Sequence, residues 1–249
     1  MRRLAAATAI ACLALICVPA AASAAKPAIT IKDAARYEPG GKGGSMSFVV
    51  RLSAPSARTV KVDWATDDGT ATMAEDYTAL SGTLVFRPGV TRRTISVPIN
   101  EDGVDEDDET LTIDLTNPRR ATIADGQAVG TIWDADPPPS ISLGSTSALE
   151  GDAGTTPVTV HVTLSHPSAL TVTATVTSTG VEATKDVDFI SSSDGTVTFV
   201  PGDTDEILDF TINGDTDVEP DESWDIVLSD IVNASSGSDT GFGLIVNDD

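Results

Sequence analysis

The chain repeats itself once, and that repeat sets the scale on which it can fold. Leu52-Ser53-Ala54-Pro55 returns as Leu164-Ser165-His166-Pro167, Ala71-Thr72 as Ala183-Thr184, and Asp76-Tyr77 as Asp188-Phe189, all 112 residues on. From Gly82-Thr83 onto Gly195-Thr196 the spacing is 113, and it holds through Phe86-Arg87-Pro88-Gly89 onto Phe199-Val200-Pro201-Gly202, Glu109 onto Glu222 and Asp136 onto Asp249. One residue is inserted between the two stretches. A unit of this length is far too long for a solenoid and suits an independently folded domain, so two tandem domains are expected.

Inside each copy the apolar residues recur with period two. Val60, Val62 and Trp64; Ile95, Val97 and Ile99; and Leu111, Ile113 and Leu115 each point one way, as do Leu208, Phe210 and Ile212 and then Trp224, Ile226 and Leu228 in the second copy. Thr and Asp fill the alternate positions. This is the pattern of half-buried strands, and the Pro-Gly and Asp-Gly turns between them predict an all-β chain of two immunoglobulin-like antiparallel sandwiches with about seven strands each. No stretch has a helical period. Trp64 and Trp224 are read as core residues. Pro137-Pro138-Pro139 is expected to be a short polyproline spacer between domains at 25–136 and 140–249.

Residues 1–24 read as a secretory signal, with Arg2 and Arg3 as the charged start, Leu4 to Val18 as the apolar run and Ala22-Ser23-Ala24 as the cleavage site. The product is expected to be secreted or held at the cell surface, with no membrane span in the mature chain. Both cysteines, Cys12 and Cys17, fall within the signal, so a disulfide-permissive destination is met without a disulfide. After residue 24, 13 Lys and Arg face 38 Asp and Glu, a formal charge of −25. Nucleic acid and anionic membrane surfaces are disfavoured partners.

The acids are not spread evenly. Glu101-Asp102-Gly103-Val104-Asp105-Glu106-Asp107-Asp108-Glu109 has seven carboxylates in nine residues, and Asp215-Thr216-Asp217-Val218-Glu219-Pro220-Asp221-Glu222 has five in eight. Both are read as hairpins between strands. Carboxylates this crowded repel one another unless a cation sits among them, and hard divalent ions prefer oxygen. The alternative is a solvated, solubilising loop. An EF-hand does not fit: with Glu109 at the last loop position, Gly103 falls correctly at the sixth but Pro98 takes the first, which needs a ligand. Gly40-Gly41-Lys42-Gly43-Gly44 does not repeat and is read as a flexible turn.

The chain resembles two tandem Calx-beta domains, the calcium-binding sandwich of sodium/calcium exchangers. The resemblance rests on Val62-Asp63-Trp64-Ala65-Thr66-Asp67-Asp68-Gly69-Thr70-Ala71, Asp76-Tyr77, Gly82 to Gly89, the acidic segment ending Asp108-Glu109-Thr110-Leu111, and Thr131-Ile132-Trp133-Asp134-Ala135-Asp136. It implies Ca2+ held at one end of the sandwich, in the first copy by Glu38, Asp68, Glu101, Asp102, Glu106, Glu109, Asp134 and Asp136. In the second copy Glu150, Asp215, Glu219, Glu222, Asp248 and Asp249 match, but Gly180 replaces Asp68, Gly214 replaces Glu101 and Asn247 replaces Asp134. The second site is therefore expected to bind fewer ions or to bind them more weakly, unless Glu182 or Asp217 compensates.

No enzyme signature is present. The two histidines, His161 and His166, lack a nucleophile partner, and zinc lacks soft ligands. A glycosidase carboxylate pair lacks the aromatics of a sugar cleft. The competing class is a structural or adhesive module that binds an extracellular or cell-surface protein partner through edge strands and loops, with calcium incidental.

Overall fold

From Met46 to Leu52 every second side chain is buried and its neighbours are more exposed, which a strand satisfies only by packing one face on a core. The same alternation runs through most of the computed structural model, which describes residues 25–40 and 43–249; the expected signal at 1–24, and Gly41-Lys42 of the glycine-rich turn, lie outside the described residues. No helix occurs among the described residues.

The first copy contributes β1 (Ala28–Lys32), β2 (Ala34–Tyr37), β3 (Gly44–Leu52), β4 (Val60–Asp68), β5 (Ser81–Phe86), β6 (Arg92–Ile99), β7 (Glu109–Arg119), β8 (Thr122–Ile123) and β9 (Gln127–Trp133). They form one sheet in the order β6-β3-β1-β8 and a facing sheet in the order β2-β9-β7-β4-β5. The second copy repeats this with β10 (Ser140–Leu143), β11 (Thr146–Leu149), β12 (Gly154–Leu164), β13 (Val172–Gly180), β14 (Phe189–Ser191), β15 (Gly195–Phe199), β16 (Asp205–Gly214), β17 (Glu222–Val232), β18 (Ser235–Ser238) and β19 (Thr240–Val246). Its sheets run β14-β16-β12-β10-β18 and β11-β19-β17-β13-β15.

The expected count of about seven strands per copy becomes nine and ten segments. The first strand of each copy is broken, at Asp33 and at Gly144-Ser145, and its halves join different sheets. Those halves pair in parallel with β8 and β9, and in the second copy with β18 and β19; the remaining pairings are antiparallel.

A second difference concerns the acidic segments, which are not hairpins. β6 and β7 belong to opposite sheets, as do β16 and β17, so residues 100–108 and 215–221 are crossovers spanning the rim of each sandwich. Alternation alone marks each strand but not the sheet it joins.

Each sandwich has its own core. The first is built on Phe48, Tyr77, Phe86 and the Ile and Val residues of β1, β3 and β6. The second is centred on Trp224, fully buried and stacked on Phe189 at 4.8 Å and 16°. Trp64 only borders the first core, and Trp133 lies outside it against Tyr37.

Candidate metal centre

Strand register brings the acids of the first copy to one end. Asp68, at the end of β4, lies opposite Leu111 near the start of β7, and Glu109, which opens β7, lies opposite Ile132 near the end of β9. β2 runs parallel to β9 and ends beside it, where the Glu38 amide donates to the Trp133 carbonyl at 3.0 Å. The tail at Asp134–Asp136 and the crossover at 100–108 complete the rim.

Two carboxylate triads form there. Glu38, Asp134 and Asp136 each offer an oxygen within 4.8 Å of the other two, and so do Asp76, Glu106 and Glu109. Five of the eight residues expected in this copy are in these triads. Asp102 and Glu101 flank them: the Asp102 charge bears on Glu38 and Glu106, and the Glu101 charge on Asp136. Asp68 is instead occupied by its own turn. Its carboxylate accepts from the Tyr77 hydroxyl at 2.5 Å and from the Met73 amide at 3.1 Å.

Asp76 is the residue that sequence reasoning missed. It is only 8% exposed, and its carboxylate accepts from the Thr72 amide at 2.6 Å. The available signal was the recurrence of Asp76-Tyr77 as Asp188-Phe189. That recurrence marks the repeat and does not by itself single out a ligand.

The triads are electrostatically strained. Burial pushes the Glu38 carboxyl up to about 7, helped by the charges of Asp134, Asp102 and Asp136. Burial pushes Glu106 to about 6, with Asp102 and Asp76 adding to it. Glu109 rises to about 8 through burial and the adjacent Asp76 carboxyl, with the charges of Glu106 and Glu38 adding to it. Glu38 Oε2 and Glu109 Oε2 are both buried without a hydrogen-bond partner, one in each triad. A buried acceptor left unpaired costs about 1–3 kcal/mol, more when charged, so both atoms call for a cation or a proton. An all-oxygen donor set suits a hard divalent ion.

The second rim repeats the backbone scaffold but not the clusters. The Glu150 amide donates to Val246 O at 3.0 Å, as Glu38 does to Trp133, and the Asp188 carboxylate accepts from the Thr184 amide at 2.6 Å, as Asp76 does from Thr72. Glu150 is 7% exposed, and its carboxyl is raised by burial and by Asp215 and Glu219. Glu222 is raised by burial and by Asp188 and Glu219. No three carboxylates close to within 4.8 Å among the described residues of this copy.

Several groups of this rim are tied up. The Asp248 carboxylate accepts from the Gly151 amide at 2.9 Å, and the Asn247 side-chain amide donates to Asp217 O while its oxygen accepts from the Asp249 amide, both at 3.2 Å. Glu182 accepts from the Ser223 hydroxyl at 2.6 Å. The two glycine replacements are locked in by neighbouring backbone. A Cβ on Gly180 would stand 1.8 Å from Ala183 O, and one on Gly214 would stand 2.1 Å from Gly151 O.

Two tandem sandwiches with acidic rims define a class, and the class has a family. The Calx-beta domain model matches residues 36–136 and again 134–240, and the chain belongs to that family. Mouse sodium/calcium exchanger 1 is 41% identical over 71 residues, covering 28% of this chain and 7% of the exchanger. Human sodium/calcium exchanger 3 is 38% identical over 77 residues, covering 31% of this chain and 8% of its own length. Among solved structures, CBD12 from CALX1.2 is 18% identical with a TM-score of 0.42, covering 87% of this chain and 99% of that one. The calcium binding domain CBD12 of CALX1.1 is 20% identical with the same TM-score, covering 83% and 80%. No helix among the described residues is long and apolar enough to cross a membrane.

Proposed function

We propose that the chain is an exported calcium-binding tandem module, in which the ions fix the rim of the first sandwich and, through it, the junction with the second. The observation that carries this reading is the pair of buried, unpartnered carboxylate oxygens, Glu38 Oε2 and Glu109 Oε2, one in each triad. Glu38, Asp134 and Asp136 would hold one ion, and Asp76, Glu106 and Glu109 another, with Asp102 and Glu101 beside them. The ion supplies positive charge to carboxylates that otherwise repel or take up protons.

The protein's own residues do the rest. The 100–108 crossover carries Asp105 into the second sandwich, and Asp134 and Asp136 lie just before Pro137. Holding Glu106, Glu109 and the tail together therefore bears directly on both links to the second domain, the Asp105 contact and the chain through Pro137. The second rim is the weaker site, because its glycines leave no room for the missing acids. A site filled to about 100 times its dissociation constant adds roughly 2.7 kcal/mol to folding.

Calorimetric titration of calcium into the chelator-stripped chain, beside a Glu106→Ala/Glu109→Ala variant, tests the assignment. Binding that is lost from one set of sites in the variant supports it. No heat, with an unchanged melting temperature, overturns it and leaves the rim as a solvated surface. Export is tested separately, by finding whether the product outside the cell begins at Ala25.

A further inference from the structure

The junction between the sandwiches is a tip seated in a socket. Asp105, at the tip of the first crossover, is 6% exposed, and its carbonyl accepts from the Ala169 amide at 3.0 Å. The Ser168 hydroxyl donates to its carboxylate at 2.8 Å. The socket is the turn between β12 and β13, held by Gly202 N donating to Ser168 O at 2.9 Å, Leu170 N to Ser168 Oγ at 3.0 Å, and Asn233 Nδ2 to Thr171 O at 2.9 Å.

The first sandwich carries the same socket, open. Gly89 N donates to Ser56 O at 3.0 Å, Arg58 N to Ser56 Oγ at 3.1 Å, and Arg120 Nη1 to Thr59 O at 3.2 Å. Arg120 and Asn233 both have positive φ, 64° and 58°. With no tip in place, the Ser56 hydroxyl turns back onto Arg58 O at 2.7 Å, and the Ala57 amide makes no hydrogen bond among the described residues.

What differs is charge. The open socket is bordered by two grooves of about 470 and 320 Å³ that share Arg120 and are lined by Lys26, Arg58, Lys61 and Arg119, with no acid in either lining. Asp63, on β4, is the carboxylate that feels the charges of Arg119 and Lys61, and it is held by the Thr83 hydroxyl at 2.6 Å. Leu170, Thr173, Val232 and Asn233 stand at the corresponding places of the second socket for Arg58, Lys61, Arg119 and Arg120. Of the 13 Lys and Arg after residue 24, all but Lys185 precede residue 137, while 20 of the 38 acids lie in 140–249. The tip of the second sandwich, equivalent to Asp105, is Val218, flanked by Asp217 and Glu219 and 83% exposed.

We propose that the acidic tip of the second sandwich docks in the basic socket of the first sandwich of another copy of this chain, so that copies join head to tail with the geometry of the internal junction. The backbone of Val218 would take the Ala57 amide as Asp105 takes that of Ala169, and the flanking carboxylates would face Lys26, Arg58 and Arg120. Tip and socket lie at opposite ends, so the contact is heterologous and builds open chains rather than closed dimers.

The test is sedimentation of the full chain in chelator, over a range of concentrations, at about 20 mM and about 500 mM salt, since screening at the higher value confines charge attraction to a few ångströms. The expected result is an average mass that grows with concentration at low salt and falls to the monomer at high salt. Lys26→Glu/Arg58→Glu, which spares the Arg120 side chain that ties the socket, and Asp217→Lys/Val218→Lys should each be monomeric alone, with circular dichroism and melting near those of the parent. Mixed in equal amounts they should associate again, because each reversed end then meets its complement. A parent that stays monomeric at low salt overturns the proposal, as does association that strengthens with salt or survives in both variants.

Discussion

The Ser168 hydroxyl donates to the Asp105 carboxylate at 2.8 Å across the two sandwiches, so a residue of the first acidic crossover is buried in a turn of the second domain. Asp105→Ala removes that acceptor but leaves the Asp105 carbonyl, which accepts from the Ala169 amide and from the Ser168 hydroxyl at 3.1 Å. Loss of one hydrogen bond to a buried carboxylate costs about 1.5–3 kcal/mol. The expected outcome is a broader distribution of interdomain angles, read as a larger maximum dimension in small-angle scattering, and separate melting of the two cores. Asp105→Asn keeps an acceptor and should stay close to the parent.

Glu38, Glu106 and Glu109, pushed to about 7, 6 and 8, set a pH dependence. Between the ordinary carboxylate range and about pH 8 the folded metal-free chain holds more protons than the unfolded one, so its stability falls as pH rises through that window. Melting of the chelated protein should therefore drop between pH 5 and pH 8. Saturating calcium should reverse the trend, because ion binding displaces those protons. Calorimetry near pH 6.5 in two buffers of different ionisation enthalpy should register proton release on calcium addition.

Asp76→Asn should lower the affinity of one class of calcium sites by about tenfold or more, equivalent to about 1.4 kcal/mol, while its remaining oxygen still accepts from the Thr72 amide. Asp68→Asn should change binding less, because that carboxylate is held by Tyr77 and Met73 outside both triads. Titration of the two variants side by side separates the roles. A larger loss in Asp68→Asn would return that residue to the site.

Much of this arrangement could be read from the sequence, and the parts that could not share a cause. The alternation in β3, β6, β7 and β16 and the 112- and 113-residue offsets are local or self-referring, so two sandwiches follow from them. Glu38, Glu106, Glu109, Asp134 and Asp136 were reached through resemblance. Asp76 and the Asp105–Ser168 contact were not, because each depends on where a turn packs in three dimensions: Asp76 precedes Tyr77, whose ring is buried in the core, and Asp105 meets a partner 63 residues away. The crossing of the acidic segments between sheets escaped for the same reason.

Gly180→Asp is the natural attempt to rebuild the second rim on the pattern of the first, and the structure predicts that it fails. The Cβ would stand 1.8 Å from the Ala183 carbonyl oxygen, a contact that no rotamer relieves because both atoms are fixed to backbone. The turn after β13 is tied by three amides, of Val181, Glu182 and Ala183, that donate to Ser223 O at 3.0 to 3.2 Å, so moving Ala183 disturbs the start of β17 as well. The cost expected of such overpacking is about 1–3 kcal/mol. Denaturant unfolding should show the loss in the second sandwich, whose core holds the neighbouring Trp224 as a fluorescence reporter. Calcium stoichiometry should not rise. A variant that gains an ion without losing stability would mean that this turn gives way more easily than its three hydrogen bonds imply.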